Sequence, residues 1–299
     1  MNKLSDDLPG KKNVCAIILD YFGADKTVAC LRSLLDQELD SVLVVDNSGD
    51  RQAGSNLKEA LAEFTSCERP FAIHFMVNPA NLGFGGGMNK ALNWLEQNHP
   101  HRCYLLINND ARATPGMLTT LRQYMLDHED AALIAPMIDT GCQRTTDYWY
   151  HRLTGLIFSK HVAGAFQYIS GCCLLVDRRV IGNGLFDEDF FMYGEDVELS
   201  WRLRRSGNNI ACVKQATVRH EGTGSSRQVS FFYEYHLVRG HFLLARKLAQ
   251  YTWQIPLFYC GRLSTLSARA LLRAFRFRSI VPIKASLSAI CHARQPQDK

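Results

Sequence analysis

The run Tyr104-Leu105-Leu106-Ile107-Asn108-Asn109-Asp110 decides how this chain is read. Four apolar residues without a polar break fit a strand buried on both faces, and the amides and carboxylate that close it fit the open end of such a strand. Toward the N-terminus the pattern repeats. Strands are predicted over 14–19, 42–45 and 71–77, and helices over 25–35, 53–64 and about 88–97. Continuous Val/Ile/Leu runs divided by amphipathic helices predict an α/β fold with a mostly parallel, Rossmann-like sheet and helices on both faces. Ligands of such sheets sit outside the carboxyl ends of the strands. Here those ends carry Asp20-Tyr21, Asp46-Asn47, Asn78 through Asn81, and Asn108 through Asp110. Four polar strand ends predict one site.

Toward the C-terminus the signals change. Residues 139–167 are aromatic and weakly periodic, which predicts irregular or edge structure, and a strand over 168–176 is interrupted at Gly171. The apolar run Phe190-Phe191-Met192-Tyr193 leads into a helix over 195–206 that opens on Glu195-Asp196 and stops at Gly207. A short strand near 210–213 precedes Ala216-Thr217-Val218, His220 and the glycine- and serine-rich 222–226. From Ser230 the chain reads as helical, broken at Pro256 and Pro282.

At 299 residues and 46% hydrophobic, the chain can bury one large core, alone or with an appendage. Ten cysteines without a CxxC pair argue for reduced, cytosolic thiols and against a disulfide framework or zinc cage. Residues 1–12 are polar and carry no signal-peptide core, and no run reaches the roughly 18 uncharged apolar residues of a membrane span. The net charge of +5 is unevenly spread. Residues 227–299 hold 12 Lys/Arg against two acids, while the remainder holds 22 against 27. On charge alone the basic tail fits DNA or a phospholipid surface. Leu266, Ala270, Ala274, Phe277 and Val281 recur at helical spacing beside Arg262, Arg269, Arg273 and Arg276. That pattern fits a helix lying on an anionic leaflet, and equally a helix packed on the domain with its arginines in water.

Several residue groups carry candidate chemistry, each beside a plainer reading. Asp46 at a strand end can bond a ribose or a pyrimidine imide, or simply cap an Asx turn. Asn81-Leu82-Gly83-Phe84-Gly85-Gly86-Gly87-Met88-Asn89 is a glycine-rich turn entering a helix, able to bring backbone N–H groups close to phosphate. It is no dinucleotide fingerprint, because Met88 stands where the third glycine belongs. Asp110 can ligate Mg²⁺ or Mn²⁺ directly, and Asn108 through a neutral oxygen or a water. Glu195, Asp196 and Glu198 can complement a helix dipole, with Glu198 and Arg202 as an i,i+4 pair. That reading does not explain two adjacent acids after an apolar run, a setting that raises a carboxylate toward a useful base. His220 is a structural histidine or a ligand.

Taken in order, these segments resemble the family-2 glycosyltransferases of the GT-A fold, especially bacterial rhamnosyltransferase-like members. The matching pieces run from Ile17-Ile18-Leu19-Asp20-Tyr21 and Val44-Val45-Asp46-Asn47-Ser48 through Asn81-x-Gly83 and Gly86-Gly87-x-Asn89 to Leu106-Ile107-Asn108-Asn109-Asp110-Ala111. Pro115-Gly116, Ser170-Gly171, Leu185-Phe186-Asp187-Glu188, the Phe190–Leu199 stretch with Arg202, and His220 with Gly222 complete them. The resemblance implies a catalytic domain over 1–226 and a basic helical extension over 227–299. Within the domain, 13–135 would bind the nucleotide-sugar and 136–226 the acceptor. It further implies donor contacts at Asp20, Tyr21, Asp46, Asn81, Gly83, Gly86, Asn89, Asn108 and Asn109, and a Mg²⁺ or Mn²⁺ site at Asp110 and His220. Asp196 would be the base, Glu195 would lie close to the acceptor, and Gly171, Cys172 and Arg202 would face acceptor or diphosphate. The implied partners are a dTDP- or UDP-sugar and a glycan or lipid-linked glycan, with no nucleic acid, at the cytoplasmic face of an anionic inner membrane.

Three departures stand out: Asn108 replaces the first Asp of the family's metal motif, Gly194 replaces a bulky residue and predicts a wider acceptor pocket, and Val238-Arg239-Gly240 replaces Arg-Asn. A sugar-phosphate nucleotidyltransferase shares the sheet but needs a glycine- and arginine-bearing loop after the first strand, where this chain has Asp20-Tyr21-Phe22-Gly23. An inactive nucleotide-binding scaffold is the non-enzyme alternative.

Overall fold

The computed structural model describes residues 13–64, 70–146, 148–221 and 229–292. The first half alternates strand and helix: β1 (Val14–Asp20), α1 (Ala24–Ser33), β2 (Ser41–Asp46), α2 (Arg51–Ala60), β3 (Ala72–Val77), α3 (Gly83–Asn98) and β4 (Cys103–Asn108). There follow β5 (Ala111–Ala113), α4 (Met117–Asp127), β6 (Ala131–Asp139), β7 (Arg144–Thr145), β8 (Tyr148–His151), β9 (Ile157–Phe158), β10 (Ala165–Tyr168) and β11 (Cys173–Asp177). The chain continues through α5 (Glu195–Arg205) and β12 (Asn209–His220) into α6 (Phe231–Lys247), α7 (Gln254–Phe277) and α8 (Val281–His292).

Nine strands form one sheet in the order β3-β2-β1-β4-β11-β6-β12-β5, with β7 on β6. Strands β3, β2, β1 and β4 run parallel, and β11 enters antiparallel between β4 and β6. Successive residues of the buried strands feed different cores. Ala16, Ile18, Val42, Val44, Leu105 and Ile107 pack toward α1, α2 and α4. Ile17, Leu43, Val45, Tyr104 and Leu106 pack toward α3 and α5. Covering both faces is what made these runs uninterrupted in sequence. A side-chain oxygen of Asp50 caps α2 through the Ala53 N–H, and that of Ser230 caps α6 through the Tyr233 N–H.

Several expectations are corrected. Helix α3 starts at Gly83, so most of the glycine-rich turn is its first turn and a half. Residues 148–168 are not irregular: β10, β8 and β9 make a three-stranded sheet, whose Tyr150 and Tyr168 pack with Leu243, Leu244 and Leu248 of the C-terminal extension. The predicted strand near 210–213 is a twelve-residue strand that carries His220 at its end. Pro256 and Pro282 sit in the first turns of α7 and α8, where the missing N–H costs nothing; the helices break instead at 248–253 and 278–280.

Three of the four stripe arginines turn inward, and Arg276 alone of them is exposed. Arg262 is fully buried, donating to the Arg152, Leu153 and Phe258 carbonyls, and Arg269 and Arg273 each contact the buried Glu234 at 2.6 Å. Arg262 thus ties α7 to the domain, and Arg269 and Arg273 tie it to α6. Gly222, the rest of 222–226 and the proposed boundary at 226/227 lie outside the described residues.

Candidate active site

Parallel registration brings the predicted strand ends to one edge. Asp20 lies beside Asp46, Leu19 beside Asn108, and Asp46 beside Val77, just ahead of Asn78. Asp20 is buried and accepts from the Thr27 hydroxyl, from Asn109 Nδ2 at 3.2 Å and from the Gly23 N–H at 3.3 Å. Asn109 thereby braces the β1 and β4 ends together. Tyr21 stands exposed beyond β1, edge-on to Phe22. Asp46 Oδ1 accepts from the Ser48 N–H at 2.9 Å, whereas its buried Oδ2 has no partner. A buried lone acceptor is costly unless a donor reaches it. Gly54 makes room for it, since a Cβ there would lie 2.5 Å from that oxygen.

Asn47, which sequence reasoning left without a role, organises the turn after β3. Its amide donates to Asn81 Oδ1 at 3.2 Å and the Gly83 carbonyl at 3.0 Å, and its oxygen accepts from Asn78 Nδ2 at 2.9 Å and the Leu82 N–H at 3.2 Å. Asn81 Oδ1 also accepts from the Gly83 N–H at 2.9 Å. Gly83 has φ +71° and faces protein, not a ligand: a Cβ would meet the Phe191 carbonyl oxygen at 2.1 Å. Gly86 is the open position, with only Leu82 Cβ at 3.4 Å. Asn89 is also committed to the fold, gripping Phe186 N–H at 2.9 Å, Phe186 carbonyl at 2.8 Å and Glu188 Oε1 at 3.2 Å. Gly83 and Asn89 are thus committed to packing, joining the glycine-rich turn to the 185–191 loop.

Asp110 follows β4, and β5 pairs with the end of β12 so that Ala111 registers with His220. His220 Nε2 lies 3.0 Å from Asp110 Oδ1. Burial pushes the Asp110 carboxyl up, but the hydrogen bond and charge of His220, with Lys26, outweigh it and hold the group below its ordinary value. An ionised carboxylate beside an imidazole nitrogen suits a divalent cation. Among the described residues no group of three ligating side chains occurs. Asp110 Oδ1 and His220 Nε2 are the two potential ligand atoms that the described residues bring together here.

The second carboxylate is tied to the same place through backbone. The Asn108 N–H donates to the Cys172 carbonyl at 2.9 Å, and the neighbouring Gly171 N–H donates to Asp196 Oδ2 at 3.1 Å. Asp196 Oδ1 accepts from the Val197 N–H at 2.8 Å. Burial raises the Asp196 carboxyl despite these hydrogen bonds. Burial and the adjacent Asp196 charge raise Glu195, whose Oε2 is buried without a partner. Tyr193 at φ +67° and Gly194 at φ +107° turn the chain sharply into α5. The space at Gly194 is taken by Phe190 and Leu244, so its missing side chain serves the turn and does not widen the pocket. Gly240 of α6 approaches the Tyr193 carbonyl, which a Cβ would meet at 2.1 Å, and Arg239 donates to the Asp189 carbonyl at 2.9 Å.

Two other predicted contacts are corrected. The Cys172 thiol is packed in the core, its ionisation suppressed by burial, and only its backbone reaches the site. Arg202 is spent on Glu198 at 3.1 Å and on the Leu185 carbonyl at 2.6 Å.

Two cavities flank this junction. One, of about 720 Å³, is lined by Arg112, Asp139, Arg144, Arg219, His220 and Glu221 among others. The other, of about 200 Å³, is walled by Tyr150, Tyr168, Tyr193, Glu195, Asp196 and His241 among others. His241 lies 2.8 Å from the Tyr150 hydroxyl and is held neutral, pushed down to about 3 by burial and by Arg262 and Arg269. Sequence reasoning missed Tyr150, Tyr168 and His241. The aromatic density of 148–168 was the only signal for the two tyrosines, and His241 had none.

The chain is similar to known proteins in sequence and in fold. The family model for Glycosyl transferase family 2 matches residues 15–185. The low-salt glycan biosynthesis hexosyltransferase Agl10 of Haloferax volcanii is 23% identical over 190 residues, 59% of this chain and 61% of that protein. The N-acetylglucosaminyl-diphospho-decaprenol L-rhamnosyltransferase of Mycobacterium tuberculosis is 34% identical over 120 residues, 38% of this chain and 39% of that protein. The chain thus spans less than two thirds of the length of either relative. Among solved structures, the mannosyltransferase PcManGT of Pyrobaculum calidifontis, in complex with GDP-Man and Mn²⁺, superposes with a TM-score of 0.60 at 12% identity, covering 96% of this chain and 88% of that one. TarS 1–349 of S. aureus gives 0.58 at 12% identity, covering 95% and 81%. At such identity the likeness establishes the fold, which is GT-A. With the family model spanning more than half its length, the chain belongs to glycosyl transferase family 2.

Proposed function

We propose that the protein is an inverting, metal-dependent glycosyltransferase that moves one sugar, with rhamnose the first to test, from a dTDP- or UDP-sugar to a glycan or lipid-linked glycan in cell-surface polysaccharide assembly. The domain is read as residues 1–226, with donor half 13–135 and acceptor half 136–226, followed by an extension over 227–299 at the cytoplasmic face of the membrane. The observation that carries the reading is the backbone link from Asn108 through Cys172 and Gly171 to Asp196, which sets the Asp110–His220 pair and the Asp196 carboxylate around one strand junction.

In this reading the unpartnered Asp46 Oδ2 accepts from the nucleoside, while Tyr21 and Gly86 border it. Asp196 removes the acceptor hydroxyl's proton as that oxygen attacks the anomeric carbon opposite the leaving diphosphate. Asp110 and His220 would hold Mg²⁺ or Mn²⁺, which supplies electrostatic compensation for charge growing on the diphosphate. Glu195, protonated at neutral pH, keeps a second negative charge away from Asp196 and is a hydrogen-bond donor toward the tyrosine-lined cavity.

Asp196→Asn should lower turnover by about 10²–10⁴ while leaving donor binding by calorimetry intact. Normal turnover of the Asn variant would remove Asp196 from the role of base. Donor hydrolysis lost in EDTA and restored by Mn²⁺ or Mg²⁺ separates an enzyme from an inactive scaffold. A thermal-shift panel of nucleotide sugars with metal present identifies the donor.

A further inference from the structure

The amphipathy of α7 is inverted. Arg262, Arg269 and Arg273 face the fold, and none of its exposed positions between 256 and 275 is charged. Those positions include Leu257, Leu263, Leu271, Leu272 and Phe275, the last two 71% and 88% exposed. Leu257, Ser264, Ala268, Leu271, Leu272 and Phe275 follow helical spacing and make one uncharged stripe along the helix. Exposed Tyr251 and Trp253, stacked on each other, mark its start, and Ile280 and Leu287, beyond the helix, are exposed as well. Isolated exposed apolar residues need no explanation, but a continuous face of this kind marks a contact surface.

We infer that the outer face of α7 docks on an anionic phospholipid leaflet, with exposed Arg276, Arg278 and Lys284 meeting the headgroups. Charge selects this occupant. Of the two acids beyond residue 226, Glu234 is buried between Arg269 and Arg273, and Asp298 lies outside the described residues. Every exposed charge in the described extension is therefore positive. A two-fold contact with a second copy would return the same cations against one another without acids to meet them. The chain's undescribed segments have little with which to cover the face: 65–69 and 222–228 have no large apolar residue, 293–299 has only Ala293, and 1–12 has Met1, Leu4 and Leu8. Indole and phenol rings at one end and cations at the other suit the water–lipid boundary. This surface is independent of the transfer chemistry above.

The test is flotation of the full chain with phosphatidylcholine vesicles, with and without phosphatidylglycerol. The wild type should partition at least roughly tenfold more onto the anionic vesicles and lose that preference in high salt. The triple variant Leu271→Ser, Leu272→Ser, Phe275→Ser should stay in the dense fraction with its melting temperature unchanged. Brominated lipid should quench Trp253, read as the difference from Trp253→Phe, which needs no loss-of-binding variant. Absent flotation of the wild type, equal flotation of the triple variant, or a solution dimer that the triple variant abolishes would each overturn the assignment. The last would make the face a contact between copies.

Discussion

Glu195 and Asp196 are adjacent in sequence, yet their surroundings differ. Asp196 takes two backbone N–H donors, whereas Glu195 Oε2 takes none. Burial raises both carboxyls. A carboxyl raised in the fold contributes its full stability below its ordinary value and loses it as pH climbs through the raised value. Glu195→Gln cannot ionise, so its melting temperature should exceed that of the wild type by a margin that grows with pH; parallel curves from pH 5 to 9 would refute the burial argument. A base with a raised carboxyl must also be deprotonated to act. The acid limb of kcat/KM should therefore fall above the ordinary carboxylate range of about 4. The types and order of these residues were legible in sequence. Their unequal hydrogen bonding was not, because the Gly171 donor lies 25 positions away.

At the scale of elements, the glycine-rich segment shows how one motif divides its work. Gly83 admits the Phe191 carbonyl at positive φ, whereas Gly86 opens outward. Gly83→Ala combines a left-handed conformation costing roughly 1–2 kcal/mol with a backbone collision, so urea denaturation should show a loss greater than about 2 kcal/mol. Gly86→Ala should be stable, even gaining about 0.5–1 kcal/mol of helix propensity, while donor KM rises. Equal effects at the two positions would mean that the whole motif serves either packing or ligand. Periodicity located the helix but started it five residues late, since glycines score as turn formers until Asn47 and the 185–191 loop hold them in place.

For the whole molecule, buried charge holds the extension's helices together, while Arg262 ties them to the domain through the Arg152 and Leu153 carbonyls. Glu234 is fully buried with two arginines at 2.6 Å. Glu234→Ala removes the buried carboxylate that Arg269 and Arg273 share and should cost about 3–5 kcal/mol, read as faster hydrogen exchange over 254–292 with the sheet's protection retained. Uniform loss of protection would show that extension and domain unfold as one unit.

The sequence by itself determined the two-faced parallel sheet, the polar strand ends and the order of the acidic motifs, because these rest on local periodicity and on residue chemistry. The direction in which α7 turns its arginines was decided only in three dimensions. So were the aromatic wall around Glu195 and the recruitment of Gly83 and Asn89 to packing. In each case the partner is remote in the chain, as with Arg262 and the Arg152 carbonyl 110 residues away. A periodic pattern says that a helix has two faces. Only the buried carboxylate of Glu234 and the carbonyls of 152–153 make the charged face the inner one.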